Sequence, residues 1–188
     1  GVEPGIKPAA ALSVSRIAGV LATASTLRSE RFQQLLALHG AGCQFILQPG
    51  YGLVEAIERG DTDSPELLAL LERYLMPLLD AGADTLVLGC THYSFIAAAI
   101  HRLTKGKMQL IDTAAAVARQ VERVLDIHGV RAPAGAAPCH RFYSTGHRHP
   151  QRRLFHTLFG MDVTVECVTI QRSYLFPHRS TFGAPVAS

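Results

Sequence analysis

At 188 residues the chain is long enough for one good core, or for one domain with part of another. Apolar residues make up 48% of it, which excludes a disordered chain. A net charge of +3, with no Lys/Arg run interleaved with aromatics, gives no ground for a nucleic-acid groove.

Apolar runs alternate with helical patterns along most of the length. IAGVLA at 17–22 reads as a strand, and 30–39 as a helix with Phe32, Leu35 and Leu36 on one face and Gly40 as its stop. QFILQ at 44–48 is a second strand. Pro49, Gly50 and Gly52 then break the chain before a short helix over 53–59. Ser64 followed by Pro65 is a cap with proline in the first turn. The helix that follows carries Leu67, Leu68, Leu71, Tyr74, Leu75, Leu78 and Leu79 as a core stripe, with Pro77 expected to kink or tighten its end.

TLVLG at 85–89 is the next strand, and an amphipathic helix is expected after Cys90, with Phe95, Ile96, Ala99, Ile100 and Leu103 inward. MQLID at 108–112 is a strand and 113–127 a helix stopped by Gly129. RAPAGAAP at 131–138 reads as a flexible crossing. HRFYS beyond it looks like a strand, 150–159 a helix and DVTVECVTI a strand, while the residues from 177 show no periodicity. Alternation of this kind predicts an α/β fold, a mostly parallel sheet flanked by helices.

No apolar stretch approaches a membrane span; FIAAAI at 95–100 is among the longest, and it has six residues. The start, GVEPGIKPAA, lacks the layout of a signal peptide and does not begin with methionine, so a chain cut from a longer one is expected. Cys43, Cys90, Cys139 and Cys167 form no C-x-x-C pair, which argues against a zinc cage or a disulfide framework and for reduced thiols in the cytoplasm. His140, His147 and His149 gather with several arginines, but no carboxylate or cysteine completes a metal site, and a solvated loop is the expectation.

In parallel sheets ligands gather where strands end and helices begin. Cys90 occupies such a place. A helix N-terminus there should lower its pKa, and N–H groups around Thr91 and His92 could hold a carboxylate. His92 could move a proton to or from the thiol. The competing reading is that Cys90 is a small hydrophobe closing a buried strand. Thr23, Thr26 and Ser29, after the first strand, are either substrate contacts or cap and turn residues.

GCTHY at 89–93 resembles the second cysteine motif of the glutamate racemases, in the aspartate/glutamate racemase superfamily. GVEPG, ATASTLRSERF, YLMPLLDAGADTLVLGCTHYSFI, IDTAAAVARQVERVL and HRFYSTG resemble other segments of that family in the same order, covering residue 1 to about 170. The resemblance implies cofactor-free interconversion of L- and D-glutamate for the bacterial cell wall, with two cysteines flanking the substrate. Carried over, it makes Cys90 one of them, Thr91 and His92 substrate-binding and proton-assisting residues, and Glu55 an acidic residue of proton handling. Thr23 and Thr26 are further substrate-binding candidates. Neither cofactor nor metal is implied.

This chain departs from the family at Pro49 to Gly52, next to Glu55, and at Ser94, where proline is usual. The family's other cysteine lies in a C-N-T motif preceded by an Asp-Ser-Gly turn, and neither triplet occurs here. The implied organisation is a near-complete racemase domain at 1–113, a return segment of the other domain at 114–176 and a disordered tail at 177–188. The expected partner is the missing N-terminal racemase segment. Without it the chain should be inactive, and Leu154, Phe155, Leu158 and Phe159 should lack burial worth roughly 1.5–3 kcal/mol each, favouring a homo-oligomer or aggregation. Two alternatives are an aspartate or other racemase of the superfamily and a non-catalytic binding remnant.

Overall fold

The computed structural model describes residues 3–40, 42–137, 139–146 and 148–169. The expected tail at 177–188 and His147 of the basic cluster lie outside the described residues. The chain divides into two compact units, Gly1–Ala136 and Ala137–Ser188.

In the first unit the order is α1 (Ile6–Leu12), β1 (Ile17–Ala22), α2 (Ala24–Arg28), α3 (Glu30–His39), β2 (Gln44–Pro49), α4 (Leu53–Glu58) and α5 (Pro65–Asp80). Then come β3 (Thr85–Leu88), a 3-10 helix (Thr91–Ile96), α6 (Ala97–Leu103), β4 (Gln109–Ile111) and α7 (Ala114–Ile127). The four strands form a parallel sheet in the order β2-β1-β3-β4. The expected α/β fold with a parallel sheet flanked by helices is what the chain adopts.

Strand alternation decides what each face buries. From β1, Ala18, Val20 and Ala22 join Val87 and Ile111 in a core closed by Ile6 and Ala9 of α1, Leu27 of α2 and Phe32 of α3. On the opposite face a Cβ at Gly19 would stand 2.8 Å from Leu78 and 3.0 Å from Leu86, so α5 packs directly on the backbone of β1. Leu71, Leu75 and Leu78 of α5 are fully buried there. Ser64 caps α5, its hydroxyl accepting from the Leu67 N–H at 3.1 Å, and Pro77 lies inside a helix that runs on to Asp80.

One expectation is corrected, and one element is added. The segment after Cys90 is not an α-helix from its first residue: it makes a 3-10 turn and becomes α-helical only at Ala97. Thr, His, Tyr, Ser and Phe are mediocre helix formers, and no side chain caps the turn. The opening residues were not assigned an element, yet Ile6–Leu12 is a helix with Ile6, Ala9 and Ala10 buried.

Opposite the end of the sheet where Cys90 lies, Asp84 ties the α1–β1 connection to β3. Its carboxylate accepts from Ser13 Oγ at 2.7 Å, the Val14 N–H at 2.8 Å, the Ser15 N–H at 2.6 Å and Thr85 Oγ1 at 2.9 Å. Burial pushes its pKa up, but these hydrogen bonds outweigh that and hold it at about 2. Because the folded value is below the unfolded one, near 3.9, the tether stabilises fully above that pH and is lost as pH falls towards 2. Asp84→Asn is expected to cost about 1–3 kcal/mol at pH 7. In urea unfolding, the gap between wild type and variant should shrink between pH 4 and pH 2.

α7 buries none of its residues; Val121 and Ile127 are more than half exposed. The second unit holds β5 (Phe142–Ser144), α8 (Arg148–Phe159) and β6 (Val165–Cys167), with β5 and β6 parallel. Phe142 packs edge-on against Phe155 at 4.8 Å between ring centres, and Phe155 against Phe159 at 5.5 Å. Leu154, Phe155 and Leu158 are only partly buried and Phe159 is 53% exposed.

Among the described residues, no helix is long and apolar enough to cross a membrane, and no group of three His, Cys, Asp or Glu is disposed to hold a metal ion.

Candidate active site

The carboxyl ends of β3 and β4, with α2 after β1, line a cavity of about 450 Å³. Thr26 lines it from α2, Leu88 to Thr91 from the end of β3, Ser94 from the 3-10 turn, and Asp112 and Thr113 from the end of β4. Val117 and Ala118 of α7 close its apolar side. The crevice position inferred for Cys90 is the one it occupies.

Gly89 explains how the backbone reaches that place. Its N–H donates to the Leu21 carbonyl at 2.8 Å, and a Cβ there would stand 2.7 Å from Ala22 Cβ. Only glycine lets β3 lie this close to β1 as the chain turns outward. Cys90 follows in extended conformation, half-buried.

The thiol is not tuned as the sequence suggested. A lowered pKa was expected from a helix N-terminus; instead burial pushes the Cys90 pKa up, and the Glu58 charge adds to the rise. The N–H groups of His92 and Tyr93 draw it back but do not win. One 3-10 turn carries a small dipole, and desolvation exceeds it.

His92 is the residue that meets the thiol, with Nδ1 3.7 Å from Cys90 Sγ. Its other nitrogen, Nε2, lies 3.2 Å from Oε1 of Glu58 on α4. Sequence reading did not find Glu58. It named Glu55, which is exposed on the same helix one turn nearer its start. The spacing of three, Glu55 to Glu58, was the available signal.

The threonines separate. Thr23 caps α2, its hydroxyl accepting from the Thr26 N–H at 3.2 Å and lying 2.9 Å from Thr26 Oγ1. Thr26 reaches the cavity wall, and Thr91 lines it directly. Ser29 caps α3, accepting from the Phe32 N–H at 3.2 Å.

Tyr93 holds the site from beneath. It is fully buried, and its hydroxyl donates to the Gly50 carbonyl at 3.2 Å. Burial raises its pKa far above the ordinary phenol value, so it acts only as a neutral donor.

The Asp/Glu/Hydantoin racemase family model matches residues 2–121. The glutamate racemase of Ralstonia pickettii (strain 12J) is 53% identical over 178 residues, covering 94% of this chain and 62% of that protein. That of Cupriavidus pinatubonensis is 46% identical over 176 residues, covering 94% and 65%. The crystal structure of Escherichia coli glutamate racemase in complex with L-glutamate and the activator UDP-MurNAc-ala aligns with a TM-score of 0.76 at 28% identity, covering 91% of this chain and 65% of that one. The chain thus spans about three-fifths of the length of the curated relatives it matches.

Proposed function

The chain belongs to the Asp/Glu/Hydantoin racemase family, and from that premise we propose that it carries one of the two proton-transferring thiols of a glutamate racemase. Cys90 is that thiol. As thiolate it takes the α-proton of one glutamate enantiomer: the Cα–H bond breaks, S–H forms, and the electron pair stays on the substrate as a carbanion. A second thiol, facing the other side of the substrate, returns a proton to the opposite face. His92 assists the proton on Cys90, Thr91 and Thr26 contact the substrate, and Thr23 orients Thr26. Glu55 is retained as the acidic residue the family resemblance assigns to proton handling. The reaction needs no cofactor, and its product serves peptidoglycan synthesis in the cytoplasm, in keeping with four unpaired cysteines.

The observation that carries this reading is Cys90 at the wall of the cavity at the sheet's carboxyl end, with His92 Nδ1 at 3.7 Å. Exchange of the glutamate α-hydrogen in deuterium oxide tests it. The chain alone should exchange one enantiomer slowly with configuration retained, because one base can only return a proton where it took it. Racemisation should appear when the remaining part of the Ralstonia pickettii enzyme is supplied as a second polypeptide. Exchange of neither enantiomer, with or without that polypeptide, would refute the proposal.

A further inference from the structure

The 3-10 turn after Cys90 sorts its side chains into three faces, because residues three apart eclipse one another in that conformation. Tyr93 and Ile96 are fully buried and form the core face. His92 turns to α4, with Nε2 3.2 Å from Glu58. Thr91 and Ser94 form the third face, and both line the cavity that Cys90 also lines. The 3-10 rise sets them about 6 Å apart, one above the other. An α-helix would have rotated Ser94 about 60° away from Thr91.

Neither hydroxyl has a hydrogen-bond partner among the described residues. Other polar groups of the wall are engaged. Thr26 Oγ1 lies 2.9 Å from Thr23 Oγ1, Asp112 accepts from the Ala114 N–H at 2.9 Å, and Glu3 pairs with Arg31 at 2.7 Å. Among the described residues no lysine or arginine lines the cavity. A ligand carboxylate there therefore depends on hydroxyl donors, and Thr91 and Ser94 offer two in register.

We propose that Ser94 is a specificity-determining residue of this site. Its hydroxyl donates to the distal carboxylate of an amino acid whose α-carbon stands at Cys90, while Thr91 holds the end nearer the thiol. Glutamate spans the two hydroxyls; aspartate, one methylene shorter, does not reach the second. Proline, usual at this position in the family, has no hydroxyl to give, so the contact sharpens selection in this chain in particular. The inference deepens the reading of Cys90 as a proton-transferring thiol and rests on it.

The test is protection of Cys90 from iodoacetamide in the 188-residue chain, read by mass spectrometry against ligand concentration. Racemic glutamate, aspartate and 2-aminobutyrate, which lacks the distal carboxylate, are compared. Ser94→Ala should raise the half-protecting concentration of glutamate about 10-fold, the worth of a hydrogen bond to a charged group. The values for aspartate and 2-aminobutyrate should not move. Ser94→Thr, which keeps the hydroxyl, should stay near wild type, and without ligand Cys90 should react alike in all three proteins. Unchanged glutamate protection in Ser94→Ala, or an equal loss for 2-aminobutyrate, would overturn the proposal while leaving the site reading intact. A wild-type Cys90 that glutamate does not protect would overturn the site reading, and the proposal with it.

Discussion

Cys90→Ser is expected to lower glutamate α-proton exchange by about 10²–10⁴-fold, the range associated with a positioned acid–base group. The hydroxyl is nearly isosteric, so the fold should survive. Its proton is far more tightly held than that of a thiol, and His92 cannot remove it at neutral pH. The chain supplemented with the rest of a relative's sequence is the assay, with amide NMR confirming an unchanged fold. His92→Asn should give a smaller loss, because the thiol remains and only its proton partner is gone. If the two variants were equally and fully active, the cavity at the end of β3 would not be the place of reaction.

Gly50→Ala is expected to produce the largest loss of stability near the site, about 2–4 kcal/mol from overpacking and a lost buried hydrogen bond together. A Cβ there would lie 2.5 Å from the Tyr93 hydroxyl and 2.8 Å from Leu53 Cδ1. Either Tyr93 yields its contact with the Gly50 carbonyl or α4 shifts, taking Glu58 away from His92. Urea unfolding measures the first cost, and the His92 nitrogen signals report the second. Combining Gly50→Ala with Tyr93→Phe should cost less than the sum of the single changes, since removing the hydroxyl makes room for the methyl. Strict additivity would mean that Tyr93 does not hold this turn.

Much of the first unit could be read from its residues because local pattern and tertiary role agree there. The Ser64–Pro65 start and leucine stripe of α5 are what a helix over a sheet requires, and the helix is present with its cap bonded. The strands were visible as short apolar runs, since a parallel sheet covered on both faces needs them. α1 was not visible: seven residues, three of them alanine, carry too little periodicity to mark a helix whose burial is decided by distant partners. The order β2-β1-β3-β4 is likewise a matter of long-range pairing that no local run encodes.

The site divides in the same way. Cys90, Thr91 and His92 are adjacent in the chain, and a strand ending into them puts Cys90 and Thr91 on the crevice wall with the His92 ring against the thiol. Glu58 lies 34 residues before His92 and joins it only through the packing of α4 on the 3-10 turn. The direction of the Cys90 shift was misjudged for a related reason. A helix dipole was inferred from a local pattern, whereas desolvation depends on how the turn is buried, and burial prevailed.

The central claim is that the Cys90 sulfur opens into a crevice that takes glutamate. Alkylation with iodoacetamide, read at each cysteine by mass spectrometry with and without glutamate, tests it most directly. Cys90 should react more slowly at pH 7 than exposed Cys139, as its raised pKa requires, and faster as pH rises. Glutamate should protect Cys90 while leaving Cys43, Cys139 and Cys167 unaffected. A Cys90 that never reacts, or that reacts equally with saturating glutamate present, would contradict the account.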